Sequence, residues 1–377
     1  MRVWPATIPL LWPATGALWQ AVVIRRLPFV AALASVVLGA CSDRAAEGDG
    51  ENGSQFAHDR LRPVSLHGEM LGAQPIVGKP GRVLHVGGSV WVLDFARDPF
   101  MHVFKSSDGS LIRSLARTGQ GPGDLMEPLN LSARTDDTSG VWVYDPMLRR
   151  ITRFDLAGDS ARAVRTVLLD TREFVERAFW LGSNAIVGLV SSDTGRFILF
   201  DTAGRNVGKR AGPLLGADSI PLAERARSTR QLDVCARPNG HGFAISYIGA
   251  SRVDLFDGAA RHTRSASVPF VGEALFVREE ATGRIRPTHP YAWYLSCATT
   301  DRYVYALFAG FPQERGAPPP ANCVGKFVHV FDWSGDLVRV FALDLPVDGI
   351  AVTSSGDRLT GVCATQASVV SFRLPSA

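Results

Sequence analysis

Five cysteines are the residues of this 377-residue chain whose type and setting point most directly to chemistry. Cys41 closes an apolar stretch that begins behind Arg25-Arg26, while Cys235, Cys297, Cys323 and Cys363 lie in the C-terminal half. A thiol can be acylated, oxidised or used as a metal ligand, and its surroundings decide which. The histidines offer less. His58, His67, His85, His102, His241, His262, His289 and His329 show no H-x-x-x-H or H-x-H spacing, so no local zinc or copper site is written in the chain. A G-x-S-x-G nucleophile elbow is also absent. Asp94 and Asp145 recur at equivalent strand ends, and two carboxylates in repeat register are expected to shape turns rather than to act as an acid/base pair. Trp91 and Trp142, just upstream of them, are expected to pack between repeats rather than to form a stacking platform.

The setting of Cys41 is that of an export signal. Leu27 to Val37 are apolar over a length that suits a secretory signal and is too short for a membrane span. Leu38-Gly39-Ala40-Cys41 resembles the lipobox of bacterial lipoproteins. That resemblance implies cleavage before Cys41 and acylation of its thiol and new amino group. Each buried methylene contributes about 0.8 kcal/mol, so two or three acyl chains anchor a protein firmly to a membrane. Ser42, standing where Asp would signal inner-membrane retention, implies an outer-membrane address on the periplasmic or surface side. A buried helix ending in an incidental cysteine is opposed by the polar run from Ser42 to Gln55. Residues 1–21, with Trp4, Pro5, Trp12 and Pro13 ahead of the arginine pair, read as a start-site error, because a start at Val22 or Val23 leaves a compact signal. A twin-arginine reading fails on Ile24.

The expected organisation is therefore a leader and signal peptide over 1–40, a lipidated flexible tether over 41–57 and a folded domain over 58–377. Repeats define that domain. Phe104-Lys-Ser-Ser-Asp-Gly109, Phe154-Asp-Leu-Ala-Gly158, Phe200-Asp-Thr-Ala-Gly204, Phe256-Asp-Gly258 and Phe331-Asp-Trp-Ser-Gly335 are hairpin signals. They recur at intervals of 50, 46, 56 and 75 residues, with Phe372 as a degenerate sixth copy. A β-rich unit of this length matches one four-stranded propeller blade. Two strands precede each hairpin, and Val-Trp-Val-x-Asp recurs at 90–94 and 141–145.

The sixth unit holds only three strands, Gly349–Val352, Arg358–Val362 and Ser368–Phe372, so its outer strand needs a donor. Arg62–Leu66, at the start of the domain, is the expected donor, since closure from both termini removes open sheet edges. The fold class is thus all-β: a six-bladed β-propeller of four-stranded blades closed by an N-terminal strand, with seven blades the main alternative.

Ala116-Arg-Thr-Gly-Gln-Gly-Pro-Gly-Asp-Leu-Met-Glu-Pro128 resembles the G-x-G-P-G-E-F-x-x-P signature of NHL- and TolB-like six-bladed propellers, with Asp124 for the usual Glu and Leu125 for the usual Phe. Leu295 to Gly310 is similar to the penultimate blade of that family. The resemblance runs over about residues 60 to 375 and implies the fold, often in bacterial lipoproteins; it does not fix a function. Gly119–Gly123 lacks the strand, helix and Lys-Ser/Thr context of a phosphate loop and is expected to be a connection between blades.

Outside the cytoplasm four cysteines can form two disulfides. In blade geometry Cys323 and Cys363 fall on one face and are the preferred pair, while Cys235 and Cys297 occupy matching positions on adjacent inner strands, as free thiols or as a bridge. Net charge is +4, without a basic run carrying interleaved aromatics, so no nucleic-acid partner is expected. The largest departures from the repeat are Val268–Ala292 and Phe308–Gly325, both in blade five. Long loops on a rigid scaffold commonly carry binding groups, which makes Arg284, Arg286, His289, Tyr291, Phe311, Glu314 and Arg315 the candidate binding face for an envelope protein or a carbohydrate ligand. No catalytic residue or cofactor is assigned. The reading is a ligand-binding or protein-interaction scaffold of the cell envelope, joined to the membrane through Cys41. The alternative is a metal-dependent hydrolase or lyase acting on a sugar, lactone or peptide, its divalent metal held by one residue per blade around the channel.

Overall fold

The computed structural model describes residues 61–71, 77–96, 98–157, 160–192, 195–216, 219–222, 225–226, 229, 232–268, 276–280, 282–287, 291–312 and 322–375. Cys41, the signal and most of the tether lie outside them, as do His289, Glu314 and Arg315. The described chain is all-β with almost no helix. Two short strands, β1 (Val64–Leu66) and β2 (Gly68–Met70), precede the blades. Blade one is β3 (Pro80–Val86), β4 (Ser89–Asp94), β5 (Met101–Lys105) and β6 (Leu111–Leu115). Blade two is β7 (Asn130–Ser132), β8 (Gly140–Asp145), β9 (Arg150–Ala157) and β10 (Ser160–Leu168). Blade three is β11 (Val175–Leu181), β12 (Ala185–Ser192), β13 (Gly195–Phe200) and β14 (Asn206–Arg210). Blade four is β15 (Leu232–Ala236), β16 (Gly242–Tyr247), β17 (Arg252–Asp257) and β18 (His262–Ser267). A hairpin of β19 (Phe276–Arg278) and β20 (Ile285–Pro287) follows. Blade five is β21 (Tyr291–Thr299), β22 (Tyr303–Pro312), β23 (Gly325–Asp332) and β24 (Leu337–Val347). Blade six is β25 (Gly349–Val352), β26 (Arg358–Cys363) and β27 (Ser368–Arg373), completed by β2. Each blade is an antiparallel meander, and β25 packs against β3, so six innermost strands ring one channel.

Burial follows position in the blade. β4, β8 and β16, each second from the channel, are buried at every residue because neighbouring blades cover both faces. Outer β18 is exposed at five of its six positions, which reads directly in its His-Thr-Arg-Ser composition. Each apolar cluster is shared between two neighbouring blades. Trp142 and Trp180, 5.0 Å apart, join blades two and three, and Phe197, Phe243 and Phe256 join three and four. Trp91 belongs to the cluster between blades one and two. Both tryptophans flagged from the repeat thus serve inter-blade packing.

The hairpin signals work through one carboxylate. Asp201 Oδ1 accepts the N–H groups of Ala203 and Arg205, Asp257 Oδ1 those of Ala259 and Arg261, and Asp332 Oδ1 those of Ser334 and Asp336. Gly204 has a φ of 82°, where a Cβ would collide with the Leu168 carbonyl oxygen. Asp94 and Asp145 also shape turns. Asp94 Oδ2 accepts Gly78 N at 2.5 Å and Oδ1 accepts Lys79 N at 2.7 Å and Ala96 N at 2.8 Å. Asp145 accepts Met126 N and Glu127 N on one oxygen and Met147 N and Leu148 N on the other. Each pins the segment entering a blade to the end of that blade's second strand. The Gly119–Gly123 loop is likewise a connection: the Arg150 guanidinium donates to the carbonyls of Gln120, Gly121 and Asp124, and Asp124 Oδ2 accepts Gly121 N.

The closure differs from the expectation. Arg62–Leu66 does not complete blade six. Gly68–Met70 does, pairing antiparallel with β27 from Gly68↔Phe372 to Met70↔Val370. β1 instead adds a fifth, parallel strand to blade five, Val64↔Phe341 to Leu66↔Leu343. The physical reason lies at Asp344, whose carboxylate accepts Gly68 N at 2.8 Å and lies 3.1 Å from His67 Nδ1, fixing the chain as it crosses from one blade edge to the next. Gly68 is required there, because a Cβ would stand 2.7 Å from both Phe372 Cε1 and Val370 Cγ1.

Candidate functional site

Arg82, Asn130, Asp233 and Ser296 come from four of the six innermost strands and form one layer at the channel. Arg82 of blade one spans the channel to Asp233 of blade four, Nη1 to Oδ2 at 2.6 Å. Asp233 is 3% exposed and fully engaged, accepting from Ser296 Oγ at 2.9 Å and Cys297 N at 3.1 Å on the same oxygen and from Val234 N on the other. Arg177 of blade three donates to the Leu129 carbonyl at 3.3 Å. Burial pulls its guanidinium down to about 10, and the Arg82 charge adds to this, against the pull of Asp233 and Glu176. It stays cationic at neutral pH.

A cavity of about 480 Å³ rises from this layer toward the hairpins between first and second strands. Its walls mix apolar groups, including Val83, Val234, Ile350, Ala351 and the Cys235–Cys297 disulfide, with polar ones such as Asn130, Thr135 and Asn239. His85 stands in the wall with Nε2 2.8 Å from Thr360 Oγ1. Burial, then the Arg358 charge, lowers it to about 4 against the pull of Asp357, so it is neutral at physiological pH. Two fixed cations flank the mouth. Arg134 forks onto both oxygens of Asp136 and lies 4.6 Å over the Trp180 ring. Arg237 donates to the Asp301 carbonyl and lies 4.8 Å over Trp333. A second cavity, of about 650 Å³, lies between blades five and six and is lined by Tyr303, Tyr305, Arg339, Phe341, Arg358 and Arg373 among others.

The blade-five candidates fall elsewhere. Tyr291 pairs with Pro312 and Ala292 with Phe311, so both insertions leave blade five from the same end. Arg284 is exposed, and Arg286 pairs with Val277 in the β19–β20 hairpin; His289, Glu314 and Arg315 lie outside the described residues. Cys323 and Cys363 are joined by a disulfide, as are Cys235 and Cys297. Asp348 Oδ2 lies 2.8 Å from Cys323 Sγ, and burial raises its pKa against the N–H groups of Ala364 and Val324. Cys323, Cys363 and Asp348 are the one grouping of potential metal ligands among the described residues, with both sulfurs taken by the disulfide.

Sequence reasoning missed Arg82, Arg177 and Asp233. For Arg82 and Asp233 a signal was present: each is a charged residue near the start of an innermost strand with apolar or small neighbours. The sequence matches no known protein family and no curated protein. Among solved structures, the chain is similar to the crystal structure of RRP9 WD40 repeats, with a TM-score of 0.50 at 12% identity over 82% of this chain and 97% of that one. The β-propeller domain of Cps50 (Swd1) from Myceliophteria thermophila gives a TM-score of 0.45 at 12% identity, over 82% of this chain and all of that one. At such identity the similarity to RRP9 is one of fold alone, that of a β-propeller.

Proposed function

We propose that this chain is a lipid-anchored binding propeller of the bacterial cell envelope whose channel receives a small ligand. The observation that carries this reading is the cavity on the ring axis, with walls of mixed apolar and polar groups, hydrogen-bonding groups on its floor and a rim of fixed cations. A propeller also suits a general interaction role. The likeness of Leu38–Cys41 to a lipobox, of Ala116–Pro128 to the NHL- and TolB-like signature, and the Ser42 that follows Cys41 support an outer-membrane anchor. In this reading the blade-five insertions, with Arg284, Arg286, His289, Tyr291, Phe311, Glu314 and Arg315, form a separate surface for an envelope protein or carbohydrate. A metal-dependent hydrolase or lyase fits the channel less well. Asp233 is already taken up by Arg82, Ser296 and the Cys297 amide, and the Arg82 charge opposes a divalent cation.

Two experiments test the proposal. Cys41→Ser should release the chain from membranes and abolish acyl labelling, and unchanged attachment overturns the anchor. Native mass spectrometry of the detergent-extracted full chain should find a noncovalent small molecule that Ser354→Trp, at the exposed mouth, expels. A chain that never carries one overturns the binding role.

A further inference from the structure

Cys323, Asp348 and Cys363 meet at one end of the junction between blades five and six. Cys323 stands just ahead of β23, Asp348 in the link from β24 to β25, and Cys363 at the end of β26. The two sulfurs and a carboxylate oxygen all lie within 4.8 Å of one another, and none of the three residues lines the channel cavity. Cys323 is 4% exposed and Cys363 is fully buried. The bridge leaves two features of this cluster without a use. Asp348 Oδ2 stands 2.8 Å from Cys323 Sγ, yet a disulfide sulfur has no proton to donate, so two lone-pair-bearing atoms face each other. Thr365 Oγ1 lies 3.3 Å from Cys323 Sγ and 3.5 Å from Cys363 Sγ, although sulfur without charge is a weak acceptor. A pair of thiolates would use both groups, the hydroxyl as donor and the carboxylate as partner in holding a cation. The carboxylate is held in place for this, since Ala364 N donates to Oδ2 at 3.1 Å and Asp348 N donates to the Val362 carbonyl at 2.8 Å.

We infer that this cluster is a zinc site in the dithiol form of the chain, with Cys323, Cys363 and Asp348 as ligands, so that the ion and the disulfide exclude one another. Two thiolates and a carboxylate are donors that zinc takes in tetrahedral sites, and the fourth position is left to water or to the Thr365 hydroxyl. Hard cations such as magnesium and calcium are disfavoured by the thiolates, and Cu(I) by the carboxylate. The chemistry runs in two balanced steps. A phosphine and one water convert the S–S bond into two thiols, the phosphine leaving as its oxide; a dithiol does the same by exchange and leaves as a disulfide. Zinc then binds the two thiolates and releases their two protons. Because Cys323 belongs to blade five and Cys363 to blade six, the ion takes over the latch between these blades when the bridge is open.

The test uses the full chain, reduced with a phosphine under argon, freed of reductant and titrated with cobalt(II) and then zinc. Cobalt(II) should give thiolate-to-metal charge-transfer absorption together with the visible bands of a tetrahedral ion, and zinc should displace it. Zinc should raise the Tm of the reduced chain and leave that of the oxidised chain unchanged. A chain carrying Cys235→Ser and Cys297→Ser should bind as the wild type does, which separates this site from the other thiol pair. Asp348→Asn keeps both cysteines, so its oxidised form should still show the disulfide by thiol titration, while its reduced form should bind zinc at least about tenfold more weakly. A reduced chain without thiolate–metal absorption, an oxidised chain that binds zinc equally well, or an Asp348→Asn chain that binds as tightly as the wild type would each overturn the inference. So would loss of the signal when Cys235 and Cys297 are replaced.

Discussion

Leu66 tests whether the N-terminal strands hold the ring shut. It is 4% exposed and packs into the cluster shared by blades five and six, with Phe341, Leu343, Val347 and Phe372 among its members. Val64, on the same three-residue strand, is 42% exposed. Leu66→Ala removes buried methyl groups from an edge that can partly collapse, so the lower part of the usual range applies, about 2–3 kcal/mol. For a ring of this size that corresponds to a fall in Tm of about 5 °C. Val64→Ala keeps the backbone pairing and loses less buried surface, so its effect should be smaller, about 1 kcal/mol or below. Gly68→Val is the severe member of the series, because its side chain meets Phe372 and Val370, lifts β2 off blade six and leaves β27 as an open edge. It should unfold earliest and aggregate. Calorimetry on the three variants, with light scattering during the scan, checks the order. Equal Tm values for Leu66→Ala and Val64→Ala, or a soluble and unshifted Gly68→Val, would refute this account of closure.

The remaining predictions concern the disulfides and acid stability. The Cys235–Cys297 bridge closes 62 residues and Cys323–Cys363 closes 40, and the loop-entropy relation gives each about 4 kcal/mol. Replacing either pair by serine should therefore lower the denaturant midpoint of the oxidised chain, and a reductant, which opens both bridges, should produce a larger fall in the wild type. Burial pushes the Asp94 carboxyl up, but the hydrogen bond from His102 and the N–H groups of Ala96, Gly78 and Lys79 prevail and hold it at about 2. A carboxylate depressed on folding stabilises above its unfolded pKa and loses that contribution as pH falls through the folded one. Asp94→Asn should thus cost about 2 kcal/mol at neutral pH, and the gap to the wild type should close between pH 4 and 2 in urea titrations. A gap that persists below pH 2 would contradict the assignment.

Much of the ring was legible locally. A Phe-Asp turn with glycine reads as a hairpin because the Asp carboxylate and a positive φ act within a few residues, as at Asp201 and Gly204. The recurrence of that turn, and of Val-Trp-Val-x-Asp, fixed four-stranded units and their order. Arg62–Leu66 reads as a short strand and Gly68–Met70 does not, however, and the partners of the two, Phe341–Leu343 and Val370–Phe372, lie at the other end of the chain. Only the fit of Gly68 against Phe372 and the reach of Asp344 decided which strand closes blade six. The charged layer was hidden for the same reason. Arg82 and Asp233 are unremarkable in their own strands, and they become one ion pair because the ring turns blades one and four toward a common axis, where desolvation makes each charge matter to the other.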